Sequence, residues 1–138
     1  MVHSATFEVS TQGFGDVIDV TAQVNASVAA SGISNGIICI VNPGSTAGIT
    51  TVEFEPGAVA DLKAALEKLA PEKARYHHND TWDDGNGFAH LRSALVGASQ
   101  AFPVRDGAVA LGTWQQIVLL DFDNRPRRRK LVVTVVGE

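Results

Sequence analysis

Three of the chain's four histidines lie with three aspartates in one short window, residues 76–91. Imidazoles beside carboxylates are suited to proton transfer or metal binding near neutral pH. His77 and His78 are adjacent, so on an extended backbone they face opposite ways and only one lines a given pocket. We therefore expect a reactive site in this window, with His78 and His90 as candidate catalytic residues.

The same two histidines are candidate ligands for a divalent metal, either zinc or magnesium. Structural and catalytic zinc sites use three or four protein ligands, so His78 and His90 would need help from carboxylates. The candidates for these additional ligands are Asp80, Asp83, Asp84 and Glu53. The alternative is that both histidines are hydrogen-bonded polar residues that fix a loop, and the sequence leaves the two interpretations open.

Two segments are candidates for binding an anion. Residues 43–48 form a small-residue loop whose backbone N–H groups, with the hydroxyls of Ser45 and Thr46, would cradle an anion. The loop lacks the lysine of a P-loop, and a tight connection between strands is an equally good interpretation. Arg92 follows His90 by two residues, so on a strand it would point the same way and hold a phosphate oxygen.

Three further residues are candidates for a substrate pocket. Trp114 and Gln115 combine a flat apolar surface with an amide, which suits stacking on a heteroaromatic ring. A tryptophan in the core or at a subunit interface is the alternative. Glu53 alternates with apolar neighbours and is either a carboxylate in solvent or a base in the pocket.

The basic residues cluster in residues 125–130, although the net charge of the chain is -4. The negative balance argues against general binding of nucleic acid. Two interpretations of the cluster remain. It is either a hairpin turn followed by a solvated basic strand, or a clamp for phosphate or carboxylate, which arginine binds in a bidentate manner.

Length and composition indicate one folded domain, residues 1–138, with an ordinary apolar content of 45%. No apolar run approaches the roughly 18 residues of a membrane span. Cys39, the only cysteine, lies among isoleucines and valine, so we expect a buried thiol. Because a lone thiol cannot form a disulfide within the domain, a cytoplasmic protein is expected.

The first two thirds of the chain contain the clearest periodic patterns. Strands are predicted for residues 6–10, 35–41 and 49–55, and helices for residues 19–30 and 58–69. We expect Asp19 or Thr21 to cap the first helix and Gly32 to end it. The run 35–41 has the character of a central strand buried on both faces, with 49–55 as its partner.

The last third is predicted to be rich in β-structure. Short strands are expected at residues 91–96, 108–111, 115–122 and 130–136. Hairpin turns are expected at residues 105–107 and 123–126. Strands interrupted by two main helices indicate an α+β fold of largely antiparallel packed sheets.

The order of motifs along the chain resembles the YjbQ-like family, especially its archaeal-type branch. The motifs are Pro43-Gly44-Ser45-Thr46-Ala47-Gly48, Tyr76-His77-His78, Asn86-Gly87-Phe88-Ala89-His90-Leu91, Gly112-Thr113-Trp114-Gln115 and Asp121-Phe122-Asp123-Asn124-Arg125-Pro126-Arg127. The resemblance implies sandwich-like sheets, a homotrimer, and a secondary thiamine-phosphate synthase activity on small phosphorylated metabolites. It also favours His78 over His77.

The chain departs from that family pattern at two positions. Many relatives carry a histidine where this chain has Gly44, and close relatives carry one where this chain has Phe88. Both departures remove potential metal ligands. The resemblance therefore implies an enzyme, or else a non-catalytic trimer that binds a small anionic metabolite.

Overall fold

Eight strands form two antiparallel sheets in the computed structural model, which describes residues 1–138. The larger sheet has the order β1 (Val2–Thr11), β8 (Arg127–Gly137), β3 (Gly36–Val41), β5 (Ser99–Arg105) and β6 (Ala108–Val109). The smaller sheet has the order β2 (Asp16–Asp19), β7 (Gln116–Asp121) and β4 (Ala47–Val52). The expected α+β fold with largely antiparallel sheets is confirmed.

Four helices cover the sheets: α1 (Thr21–Ser31), α2 (Pro56–Leu69), α3 (His77–Trp82) and α4 (Gly87–Val96). The two predicted helices correspond to α1 and α2. Gly32 ends α1 in a left-handed conformation with φ 69°, as predicted. Neither predicted cap occupies the cap position, which is that of Val20, although Asp19 accepts a hydrogen bond from the Thr21 N–H at 2.9 Å. No helix is long and apolar enough to span a membrane.

The smaller sheet is buried on both faces and forms the middle of the molecule. One face shares a core with α1 and the inner face of the larger sheet, through Ile117, Leu119 and their neighbours. The other face packs against α2 and α4, through Val118, Leu120 and Phe88. Strand β7 therefore has the doubly buried character that we expected of residues 35–41.

Strand β3 is central in its sheet, but only one of its faces is buried. Ile38 and Ile40 are fully buried, whereas Ile37 is 58% exposed and the Cys39 thiol is exposed. The predictions of a doubly buried strand and a buried thiol are wrong, because no element packs against the outer face of the larger sheet.

Two predicted pairings are wrong because neighbouring segments belong to different sheets. Strand β4 pairs with β7, not with β3. Residues 123–126 connect β7 in the smaller sheet to β8 in the larger one, so they are a crossover and not a hairpin turn. The predicted hairpin at residues 105–107 is confirmed by the pairing of Arg105 with Ala108.

The predicted strand at residues 91–96 is the second half of α4, so this prediction is also wrong. The buried residues of the helix are Gly87, Phe88, Ala89, Arg92 and Ser93. This spacing follows the helical period, in which positions i, i+1, i+4 and i+5 share a face. The run 91–96 is too short to show that period without the four residues before it.

A buried ion pair joins the two sheets. Arg129 on β8 donates from Nε to Asp121 Oδ2 at 2.7 Å and from Nη2 to Oδ1 at 2.8 Å. The Asp121 side chain is 0% exposed and that of Arg129 11%. Thr11 on β1 also donates to Asp121 Oδ2, at 2.6 Å. Two arginines of the basic cluster face inward and bind carboxylates of the same chain: Arg129 binds Asp121, and Arg127 binds Asp123. Arg128 faces outward and is exposed.

Replacing Arg129 with methionine is expected to lower the free energy of unfolding by about 3–5 kcal/mol, because Asp121 would stay buried without its cation. The matched control is Arg128→Met, on the same strand. Its ion pair with Glu8, 3.3 Å long, is exposed, so a loss of about 1 kcal/mol or less is expected. Urea unfolding of both variants measures the difference, and equal losses would contradict a cross-sheet role for Arg129.

Candidate functional site

His78 and His90 meet where α3 and α4 come together. Their ring centroids are 4.1 Å apart and the ring planes are inclined by 36°. A shared site requires these two side chains to approach one another, and they do. The argument that His77 and His78 lie on an extended backbone is wrong, since both belong to α3. The His77 side chain is fully exposed, whereas that of His78 is 27% exposed and turned toward α4.

Contacts between the starts of the two helices hold the histidines in register. Asn79 Oδ1 accepts a hydrogen bond from the Gly87 N–H at 2.9 Å. A Cβ at Gly87 would lie 2.5 Å from the Tyr76 Cβ, so only glycine allows this approach. Tyr76 in turn donates to the Pro71 carbonyl at 2.6 Å. Because these contacts fix α3 against α4, the pair of rings is set by the fold.

The surroundings favour the neutral form of His90. Burial lowers the pKa of His90, and the neighbouring His78 lowers it further, while Asp84 and Asp123 act in the opposite direction. The His78 Nδ1 is buried without a hydrogen-bond partner, and its nearest carboxylate oxygen, Asp84 Oδ1, is 3.5 Å away. A neutral imidazole beside a second imidazole and a carboxylate is an arrangement for accepting and passing a proton.

Asn86 stands between the carboxylates of Asp84 and Asp123. In one orientation its amide donates to Asp123 Oδ1 at 3.3 Å, and in the other to Asp84 Oδ1 at 2.8 Å. The second orientation is favoured, because the first places the amide oxygen against the Asp84 carboxylate. In this orientation Asn86 donates to Asp84, whose Oδ1 also lies 3.5 Å from His78 Nδ1, and the hydrogen bond to Asp123 is not made.

Asp123 is a fixed negative charge behind the site. Burial alone would raise the pKa of Asp123, but hydrogen bonds from Arg127 and from the Asn124 N–H outweigh it, so the pKa is lowered. Arg127 donates to Asp123 Oδ2 from Nε at 2.9 Å and from Nη2 at 2.6 Å. The Asp123 carboxylate is therefore occupied by hydrogen bonds within the fold.

Thr46 lies within this network. Its hydroxyl donates to Asp123 Oδ2 at 3.1 Å and accepts from Arg129 Nη2 at 2.7 Å. Ser45 is exposed beside it. The predicted anion loop thus adjoins the buried Asp123 carboxylate.

Arg92 lies away from this site. It is buried on α4, where Nε donates to the Ala70 carbonyl at 3.0 Å and Nη2 to the Glu67 carboxylate. The argument that placed Arg92 beside His90 is wrong, because residues two apart on a helix point about 200° apart and not the same way. Its guanidinium is held by the end of α2.

The residues expected in a substrate pocket lie at the other end of β7. Trp114 is 73% exposed, and Gln115 Nε2 donates to Thr51 Oγ1 at 3.2 Å. Thr51 pairs with Ile117 near the start of β7, whereas Asp121 is the last residue of that strand, about 13 Å further along. Glu53 is exposed just beyond β4. Within one chain, the fold does not bring these residues to the histidines.

The surface pocket also lies elsewhere. It measures about 210 Å³ and is lined by residues of β2, the β4–α2 connection and α2, among them Val17, Phe54 and Lys63. This is smaller than the roughly 300–1,000 Å³ of typical ligand sites. The charged residues that line the pocket are Asp16, Glu55 and Lys63, and no histidine lines it. The histidine pair is therefore the better candidate for a catalytic site.

Sequence reasoning missed the carboxylates of Asp121 and Asp123 as site-forming residues. Both alternate with buried Phe122 at the end of an apolar strand, and Arg127 and Arg129 alternate in the same way on β8. Two acidic and two basic residues, each at a spacing of two, would place like side chains on one face of a strand. That pattern was the available signal for a buried ionic network.

Comparisons with known proteins identify the family of this chain. The family model described as UPF0047 protein YjbQ-like matches residues 5–138. The chain belongs to this family. A UPF0047 protein of Methanothermobacter thermautotrophicus is 36% identical over 137 residues, covering 99% of this chain and 94% of the relative. The UPF0047 protein YugU of Bacillus subtilis is 35% identical, covering 96% of this chain and 98% of the relative.

Solved structures show the same fold in other family members. A YbjQ-like protein of unknown function from Sulfolobus solfataricus P2 has a TM-score of 0.94 and 36% identity, covering 100% of this chain and 99% of that one. A hypothetical protein from Aeropyrum pernix K1 has a TM-score of 0.90 and 31% identity, covering 98% of each chain. The family resemblance drawn from the motifs is confirmed.

The lowered pKa of His90 makes stability depend on pH. Its ordinary value is 6.5, so below that pH the unfolded chain binds the proton more tightly than the folded one. The contribution of His90 to stability is therefore present above about pH 6.5 and lost as the pH falls through the lowered pKa. Urea unfolding across this window should show a shallower loss for His90→Gln than for the parent.

An NMR titration of the imidazole tests the same point directly. The His90 midpoint should lie below 6.5 and should rise in His78→Ala, since that change removes a neighbouring cation and part of the burial. A parent midpoint at or above the ordinary value would contradict this account.

Proposed function

We propose that the His78–His90 pair is a proton-transfer site acting on a small phosphorylated metabolite, with thiamine-phosphate synthesis as the specific reaction. The observation that carries the proposal is the close contact of the two rings, 4.1 Å between centroids, beside Asp84. With the neutral form of His90 favoured, its ring can accept a proton from the neighbouring imidazole near neutral pH. The specific reaction rests on the family resemblance.

The reaction joins a pyrimidine diphosphate to a thiazole phosphate. A bond forms between the thiazole nitrogen and the pyrimidine methylene carbon, the bond from that carbon to oxygen breaks, and pyrophosphate leaves. The negative charge that develops on the leaving oxygens requires a proton or a cation. In this proposal one imidazole of the pair, in its protonated form, donates that proton to the leaving pyrophosphate and regains a proton from solvent, and Asp84 Oδ1 lies 3.5 Å from His78 Nδ1.

A divalent metal belongs to the proposal only in a limited form. No group of three or more histidine, cysteine, aspartate or glutamate side chains is arranged to hold a metal. Two imidazoles and Asp84 are therefore a poor fit to a zinc site in one chain. Magnesium usually arrives with substrate phosphates and needs one or two carboxylates, so Asp84 would suffice to receive it.

Replacing His78 or His90 with alanine is expected to reduce thiamine-phosphate formation by about 100-fold or more, because each imidazole takes part in proton transfer. Product formation from the two phosphorylated precursors is measured with and without magnesium. The matched control is His77→Ala, whose side chain is fully exposed and makes no hydrogen bond to the site. It should retain the parent rate.

Folding controls decide how a loss is interpreted. Each variant should keep the parent circular dichroism spectrum and a cooperative unfolding transition. Folded His78 and His90 variants with undiminished turnover would remove the pair from the mechanism. A parent without turnover under either condition would favour the alternative, a non-catalytic trimer that binds an anionic metabolite.

The outer face of the larger sheet supports assembly into a homotrimer. Across β1, β8, β3 and β5, the outward residues of one row are Val2, Val136, Ile37 and Pro103, and those of the next are Ser4, Thr134, Cys39 and Ala101. This uncharged end of the face contains Val2 and Ile37, which are 68% and 58% exposed. Contiguous apolar surface of this kind marks an interaction site.

Light scattering at low micromolar concentration is expected to give the mass of three chains. Ile37→Asp should yield monomers, since it places a charge in the centre of the uncharged end. The control is Ser10→Asp, which lies on the same outward face at its charged end, beside Arg128. A parent that is a stable monomer, or an Ile37→Asp variant that remains trimeric, would reject this interface.

A further inference from the structure

Asn42, directly after β3, has a buried amide nitrogen without a partner. The residue is 1% exposed, and its Nδ2 makes no hydrogen bond. Buried polar groups are almost always hydrogen-bonded, so an orphaned donor indicates an acceptor that the chain itself does not provide. The backbone N–H of Asn42 bonds to the Ala98 carbonyl at 2.9 Å, which fixes the residue in place.

A second donor that makes no hydrogen bond within the chain borders the same space. A Cβ at Gly44 would lie 3.3 Å from Asn42 Nδ2 and 3.5 Å from Arg129 Nη1. Arg129 uses Nε and Nη2 to bind Asp121 and Thr46, which leaves Nη1 without a protein acceptor. Two donors, one just after β3 and one on β8, therefore border the volume that a side chain would fill at position 44.

The loop adds further donors around this volume. The N–H groups of Gly44, Ser45 and Thr46 donate to no backbone carbonyl and to no side chain. Successive free N–H groups form concavities that bind anions. Gly44 and Ser45 are exposed, so the volume is open to solutes, and the Ser45 hydroxyl lies at its edge.

The local charges do not oppose an anion. The nearby carboxylates of Asp121 and Asp123 are each paired with an arginine, at 2.7 Å and 2.6 Å. The two pairs together are neutral, and Arg129 Nη1 is the charged donor on the side of Gly44. An acceptor with several oxygens matches this set of donors better than a single carbonyl.

We propose that Asn42, Gly44, Ser45 and Arg129 form a subsite for the phosphate group of a small metabolite. The subsite deepens the proposed function, on which its biological role rests. Thr46 donates to Asp123, whose Oδ1 lies 3.3 Å from the Asn86 side-chain amide next to α4. Arg129 thereby takes the part that the sequence had suggested for Arg92. Phosphate binding at this place does not depend on any reaction at the histidines.

The test is a titration of the parent protein with inorganic phosphate, followed by amide NMR. Saturable shifts are expected for the Gly44, Ser45 and Thr46 amides and for the Asn42 side-chain amide. Gly44→Ala should weaken binding by about tenfold or more, because the methyl group takes the space where two donors converge. The backbone at Gly44 is not in the left-handed region, so alanine is compatible with the fold.

Two further variants make the test specific. Gly112→Ala is the matched control, since a Cβ there meets only Gln115 atoms at ordinary contact distances of 3.7 Å and 3.8 Å. It should bind phosphate as the parent does. Asn42→Asp replaces a donor with a carboxylate that Arg129 would pair with, and it should abolish binding. Unfolding curves of all variants check that the fold is retained.

The outcomes separate this proposal from the proposed function. Phosphate shifts spread over exposed Arg125 and Arg128, or undiminished binding by Gly44→Ala, would overturn the subsite. His78→Ala should bind inorganic phosphate like the parent. If it does so and also keeps full turnover, the catalytic proposal fails while the subsite stands.

Discussion

The ion pair between Arg129 and Asp121 is the interaction on which the arrangement of this molecule depends. It joins the two sheets at the end of β7, where the chain crosses from one sheet to the other. Such a pair requires near-complete hydrogen bonding to offset the loss of water, and Thr11 and Thr46 supply the additional contacts. The loop after β3 is anchored at this junction through Thr46, and Asn124 beside it donates to the Asp84 carbonyl just before α4. The candidate site therefore lies where the sheets are locked together.

The sequence was most informative where a pattern was long. The helices α1 and α2 and the strand β8 follow periods that a single sequence displays. The pairing of strands was harder to predict, because residues 35–41 and 49–55 look alike in composition but belong to different sheets. Burial on both faces depends on which elements pack above and below a strand. Which elements pack against a strand depends on the whole chain, so it cannot be predicted from the residues around Cys39 alone.

The candidate site was predictable in part for a similar reason. His78 and His90 were identified by residue type and family motif, and their contact follows from two short helices whose starts interlock. Arg92 was misplaced because the error in secondary structure reversed the direction of its side chain. Arg129 was not singled out within the basic cluster, because a basic run on the surface and a buried cation have the same composition. Only the spacing of two residues from buried Leu131, which puts Arg129 on the inward face of β8, distinguishes them.

The position of β1 beside β8 has a consequence for how the chain reaches this structure. The first strand pairs along its whole length with the last one, and the next strand in the sheet, β3, pairs with the other edge of β8. The larger sheet therefore cannot form until β8 has joined β1 and β3. A topology dominated by such distant pairings folds slowly, and during that interval β1 and β3 have no partner between them. The ionic junction at Arg129 forms at this last step, so completion of the sheet and assembly of the site are the same event.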